Sequence, residues 1–135
     1  FNPDNVLIAS GPPVQLSGIV DFGDALRAPR VCDLAIACAY QLDPGPDPLA
    51  GALPLIRAYH RVTPLLPGEQ QVLPGLIRAR LLGSVIITSH MARLHPDNRD
   101  YLLIDTAAAG EYLQRLGPEP AQGESGRIEK ACRDA

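Results

Sequence analysis

The sequence has no tryptophan, two phenylalanines, four tyrosines and one methionine in 135 residues. No cluster of Lys and Arg with interleaved aromatics occurs, and 12 basic against 15 acidic residues leave a formal charge of -3. Nucleic acid and anionic membrane are therefore disfavoured as partners. Long apolar runs are also missing. The stretch Leu34 to Tyr40 is typical, far short of the ~18 residues that a membrane-spanning helix needs, and no membrane span is expected. No basic segment followed by a long apolar run opens the sequence, so no secretory or transit peptide is visible. Cys32, Cys38 and Cys132 are an odd number, form no C-x-x-C pair and lie near no His at ligand spacing, which argues against a disulfide framework or a cysteine metal site. A reduced, cytoplasmic setting is expected. The chain opens on Phe rather than Met, inside a motif-like stretch, and a fragment is expected.

Hydrophobic residues make up 46% and charged residues 20%, enough apolar side chain for a core. Val6 to Ile8 and Val14 to Val20 flank Ser10, Gly11, Pro12 and Pro13, the pattern of a hairpin around a Gly/Pro turn. Asp21 then sits at a strand end, with Gly23 beside it to permit a sharp turn. Residues 31–40 are apolar all round except for Asp33, which predicts a helix buried on every side. Leu49 to Val62 predicts a second helix, weakened by Pro54. Residues 69–94 carry the longest helical stripe, which Pro74 is expected to divide into a short turn and a longer helix. Tyr101 to Leu116 resumes a helical pattern. Beyond Gly117 the sequence is rich in turn formers and charges without an apolar stripe, and residues 117–135 are expected to form a linker or frayed tail.

Asn5 just before the first strand and Asp21 at the end of the second would meet at one end of an antiparallel hairpin. A carboxylate and an amide carbonyl suit a hard cation such as Mg²⁺, with phosphate oxygens completing its shell. Turn chemistry alone would also explain Asn2, Pro3, Asp4 and Asn5, and Asp21 could be a strand-ending acid; the correct placement of both favours ligation. Asp24 could be a substrate-binding, supporting or solvated residue. Asp33 could lie in the first turn of a helix, where the dipole contributes roughly 0.3–1 kcal/mol. Its apolar surroundings favour a hydrogen-bonded structural role, because burying an unpartnered carboxylate costs several times that. His60, His90 and His95 are scattered, with no nucleophile motif nearby, and are expected to be structural or exposed.

The opening FNPDNVLI, the later IVDFGDA and the trailing RAPRVCDLAIA resemble the catalytic loop, metal-binding Asp and following helix of the aminoglycoside phosphotransferase and choline-kinase-like family. Within it the phrase IVDFGDA is most similar to the hydroxylysine-kinase-like branch. The protein-kinase pattern of Asp-x-x-x-x-Asn followed by Asp-Phe-Gly is the same device. The resemblance implies an α+β fold: the mainly helical carboxy-terminal lobe of a protein-kinase-like enzyme with an amino-terminal β-hairpin, over residues 1–116. It implies Asn5 and Asp21 as Mg²⁺ and nucleotide ligands and Asp33 as a buried acid that holds the catalytic loop in shape. The catalytic base has no counterpart, since five positions before Asn5 fall just ahead of Phe1. The phosphate-gripping Lys and Gly-rich loop of an amino-terminal lobe have none either.

The function so implied is transfer of the γ-phosphoryl group of ATP, or GTP, to the hydroxyl of a small molecule, an amino-alcohol such as hydroxylysine, choline, homoserine or an aminoglycoside. Asp24, Asp43, Asp47 and Glu69 are the acids available to attract its amine. Some members of the branch are fused to aminotransferases, a further expected partner domain. The alternative is a non-catalytic, kinase-like remnant serving as a helical scaffold or partner-binding module. Either way, core surface left open where another lobe docks would make the isolated piece sticky or dimeric.

Overall fold

A computed structural model describes residues 3–23, 25–117 and 123–135. Two strands, β1 (Val6–Ile8) and β2 (Leu16–Ile19), are followed by helices α1 (Arg30–Ala39), α2 (Leu49–Val62), α3 (Pro67–Leu94), α4 (Arg99–Leu102), α5 (Thr106–Leu116) and α6 (Glu124–Arg133). The expected mainly helical α+β architecture with an amino-terminal hairpin is what forms. Single turns of 3₁₀ helix precede β1 at Pro3–Asn5 and α4 at Pro96–Asn98.

The strands pair antiparallel, Val6 with Ile19, Leu7 with Gly18 and Ile8 with Leu16. The register skips Ser17, a bulge that bends the ribbon. Ala9 N donates to Gln15 O at 2.9 Å beyond the last pair. Almost every hairpin side chain is exposed, including Ile8 at 60% and Leu16 at 64%.

Helix α3 is the axis of the helical body, about 42 Å long at 1.5 Å per residue over its 28 residues. It packs against α1, α4, α5 and α6, while α2 packs against α1 and α6. Leu34, Ile56, Leu73, Ile77 and Ile128 are buried at the centre. Pro74 does not divide α3. It is itself fully buried, and the packing of Leu73 and Ile77 on either side offsets the single backbone bond its missing N–H forfeits. The same holds in α2, which runs through Pro54 between the fully buried Ala52 and Ile56. Among the described residues α3 is the one helix long and apolar enough to cross a membrane by length and composition. Here it is instead the shared wall of the core, and it carries the buried Arg78 at its middle.

Three other expectations change. Helix α1 is not buried all round: Val31, Leu34, Ala35 and Cys38 line one face, and at 100° per residue Asp33 falls on the opposite one. The segment Tyr101 to Leu116 is broken at residues 103–105 into α4 and α5. The stretch after Gly117, expected as a linker or tail, contains α6, whose Ile128, Ala131 and Cys132 are buried. What fixes α6 is Arg78, 6% exposed. Its guanidinium donates twice to Glu124 at 2.9 Å, to Leu116 O at 2.6 Å, and to Gly117 O and Pro74 O at 3.1 Å. All five donors of the fork are used, the condition under which a buried guanidinium is tolerated.

Glycine is required where α2 meets the end of α1. A Cβ on Gly51 would stand 2.2 Å from Gln41 O and 2.7 Å from Asp43 N, so only a bare backbone allows this approach.

Candidate functional site

The hairpin register brings the two ends together. Val20 N donates to Asn5 O at 3.0 Å, so Asn5, the last residue of the opening 3₁₀ turn, lies directly across from the residue that leads into Asp21. Asn5 is half-buried and Asp21 exposed. Asp21 itself takes the left-handed conformation, with φ of 62°, one that Asp tolerates better than most side chains. The sharp turn expected of Gly23 is thus made by the acid. The Asp21 carboxylate leans over its neighbour, Oδ1 lying 3.7 Å from where a Cβ on Gly23 would stand. A turn from Phe22 O to Ala25 N at 3.0 Å comes next.

Of the remaining candidates, Asp24 lies outside the described residues. Asp33 stands exposed on α1, where the resemblance implied a buried acid; the helix phase that turns Leu34 and Ala35 inward turns Asp33 outward. Among the described residues no group of three or more His, Cys, Asp or Glu could hold a metal by itself. Asn5 and Asp21 supply two oxygen donors at one open end of a hairpin. That donor set is too small to cage a cation but fits a hard one that brings phosphate oxygens of its own.

The other acids proposed for an amine are committed elsewhere. Asp43 Oδ1 accepts from Gly45 N at 2.6 Å, shaping the loop after α1. Asp47 forms a two-pronged pair with Arg127, at 2.9 and 2.6 Å, which ties the start of α2 to α6. Glu69 accepts two bonds from Arg30, at 2.9 and 2.8 Å, and one from Leu66 N at 2.7 Å. The guanidinium of Arg30 and the Leu66 amide hold the Glu69 carboxyl below its ordinary range, as Arg127 does for Asp47.

Two of the three cysteines are unsuited to nucleophilic chemistry. Burial pushes the Cys38 thiol up to about 12 and raises that of Cys132, so both stay protonated and inert at neutral pH. His60 Nδ1 accepts from Leu65 N at 3.0 Å, the structural role expected of it. Sequence reasoning missed Arg78. Its only signal was a basic residue directly beside Ile77 in the apolar stripe of the longest helical segment, one of two in that turn with Arg80.

Comparison with known proteins places these elements. Residues 1–65, which run from the Asn5 turn through the hairpin, α1 and α2, match the model of the phosphotransferase enzyme family. Over 122 residues the chain is 31% identical to a protein named hydroxylysine kinase from Mus musculus, a match that covers 86% of this chain and 32% of that one. It is 30% identical over 118 residues to a protein of the same name from Danio rerio, covering 86% and 33%, and 28% identical over 122 residues to one from Bos taurus, covering 86% and 32%. The chain thus spans about a third of the length of the curated relatives it matches. No solved structure matches it.

Proposed function

We propose, from the match of residues 1–65 to the model of the phosphotransferase enzyme family, that the chain is part of a small-molecule kinase. The donor is ATP, with GTP as the alternative, and the acceptor is the hydroxyl of a small molecule that also carries an amine. What supports this most directly is the bond from Val20 N to Asn5 O, which sets an amide and the Asp21 carboxylate at one open end of the hairpin.

In phosphoryl transfer the protein contributes positioning and charge neutralisation rather than covalent chemistry. Asn5 and Asp21 would hold Mg²⁺, which when bound neutralises charge on the nucleotide's phosphates. The left-handed backbone at Asp21 aims its carboxylate along the turn, and the hairpin pairing fixes Asn5 against it. Asp33, in the first turn of α1, would support the segment ahead of Asn5. Asp24 is the proposed contact for the acceptor, now that Asp43, Asp47 and Glu69 have structural partners.

Relatives named hydroxylysine kinase favour hydroxylysine among the amino-alcohol acceptors. The exposed Leu7, Ile8, Val14 and Leu16 favour coverage of the hairpin by an amino-terminal lobe. A cytoplasmic location goes with the three free cysteines.

In the full-length gene product, Asp21→Asn is expected to abolish ATP-dependent phosphorylation and to leave the unfolding midpoint of the helical body in place. Retained turnover overturns the assignment. A screen of hydroxylysine, choline, homoserine and aminoglycosides identifies the acceptor, and phosphorylation of neutral sugars alone removes the amine from the proposal. A product that binds no Mg-nucleotide and phosphorylates none of these would support the non-catalytic scaffold instead.

A further inference from the structure

At the far end of α1 from Asp33, a cavity of about 370 Å³ opens between the end of α1, the middle of α3, and α4 with the start of α5. It contains no residue of the hairpin or of the segment leading from Asp21 to α1. Its volume lies within the range of small-molecule sites. Two opposite charges line it, Arg80 from α3 and Asp105 from the start of α5, and no ion pair joins them among the described residues.

Arg80 is held from one side only. Its Nη2 donates to the Tyr40 hydroxyl at 3.0 Å, and its guanidinium carbon stands 5.8 Å from the centre of the Tyr40 ring. These contacts fix the plane of the fork while leaving its charge unneutralised and most of its N–H groups unused. Asp105 occupies the N-cap position of α5, yet its side chain makes no capping bond. An N-cap acid ordinarily satisfies an orphan N–H of the first turn; this carboxylate is instead exposed at the cavity. The rest of the wall is mostly apolar, and three of its hydroxyls are already paired. Thr88 and Thr106 share a hydroxyl bond of 2.8 Å, and the Tyr112 hydroxyl donates to Leu42 O at 3.1 Å. Among the described residues, the cavity therefore offers one cation and one anion that no ion pair joins.

We propose that this cavity binds a small zwitterion of the α-amino-acid class, its carboxylate on Arg80 and its ammonium on Asp105. A plain anion would meet Asp105 and a plain amine would meet Arg80, so each half alone is opposed by the like charge, whereas a ligand carrying both satisfies both. The site is separate from Asn5 and Asp21 and does not depend on phosphoryl transfer.

The test is isothermal titration of the full-length gene product, without nucleotide, against L-leucine, L-lysine, propionate, butylamine and inorganic phosphate. Saturable binding of an amino acid is expected, with propionate, butylamine and phosphate at least tenfold weaker. Arg80→Gln and Asp105→Asn should each weaken the amino acid at least tenfold, while Asp21→Asn should leave it unchanged. Both substituted side chains lie outside the core, and methyl chemical shifts of Thr88 and Thr106 in the unaltered protein locate the ligand independently of any variant. The proposal fails if no amino acid binds saturably, if both cavity variants bind as well as the parent, or if phosphate or propionate binds as tightly. It also fails if Asp21→Asn removes binding, which would put the zwitterion at the hairpin.

Discussion

The hairpin and the helical body divide the labour of this chain unequally. Residues of β1 and β2 are nearly all exposed, and their apolar side chains, Leu7, Ile8, Leu16 and Ile19, take no part in the buried cluster of the described residues. The helical body holds the whole buried cluster, from Val31 and Leu34 to Ile128 and Cys132. The candidate metal ligands thus lie on the segment that adds least to the core. A two-stranded ribbon is marginal in water by itself, and among the described residues the geometry of Asn5 and Asp21 rests on local pairing. The body can lose a turn of the ribbon without losing its core.

Substitutions can break this division, and the strongest should act through Arg78. Arg78→Met leaves the half-buried Glu124 and the carbonyls of Leu116 and Gly117 without their donor. The expected cost is about 3–5 kcal/mol of body stability, as for other buried pairs that lose one partner. Adding Glu124→Leu should recover much of it, and urea unfolding followed by far-UV dichroism measures both. If Arg78→Met is neutral, α6 is not part of the body.

Gly51→Ala ranks second. A methyl group there would press on the backbone at Gln41 and Asp43, and overpacking of this kind costs about 1–3 kcal/mol. The α1–α2 corner should loosen first, as fast amide exchange near Leu42.

Acid should act more weakly. Asp47 and Glu69 are both held below their ordinary values, by Arg127 and Arg30 respectively. The stability they contribute is complete above the ordinary carboxylate range and is lost as pH falls through their depressed folded values. The Asp47–Arg127 pair is 50% and 40% exposed, so its share is no more than about 1 kcal/mol and should shrink with salt. Asp47→Asn should flatten part of the acid limb of a stability-versus-pH curve.

The smallest effect is expected in the hairpin. Leu16→Ser, at a side chain 64% exposed, should move the stability of the body by no more than about 0.5 kcal/mol. A larger shift measured on this chain would show that the ribbon is packed on the body after all.

Some of this was legible in residues alone, because it depends on neighbours in sequence. The Gly/Pro turn between two β-branched runs specifies the hairpin, and antiparallel pairing then requires Asn5 and Asp21 to share an end. The bounds of α2 reflect its apolar stripe between Pro48 and the turn at Thr63. Where sequence reasoning failed, a distant partner decided the matter. Pro74 would break an isolated helix, but buried packing along α3 holds it straight. The residues of α6 have too few apolar positions to announce a core helix, and α6 docks through Ile128, Cys132 and the Arg78–Glu124 pair, 46 residues apart in sequence.

Local sequence is enough to specify the pairing of the ribbon, the ordered trio Asn5, Asp21 and Asp33, and the helical character of the rest of the chain. Periodicity and turn chemistry are properties that each segment carries with it. Packing between segments settled the remainder: Asp33 faces outward, Asp43, Asp47 and Glu69 are tied up in the scaffold, and Arg80 and Asp105 line one cavity. Those outcomes depend on which helix lies against which, and burial and charge pairing between segments 25 to 80 residues apart leave no mark on any one of them alone.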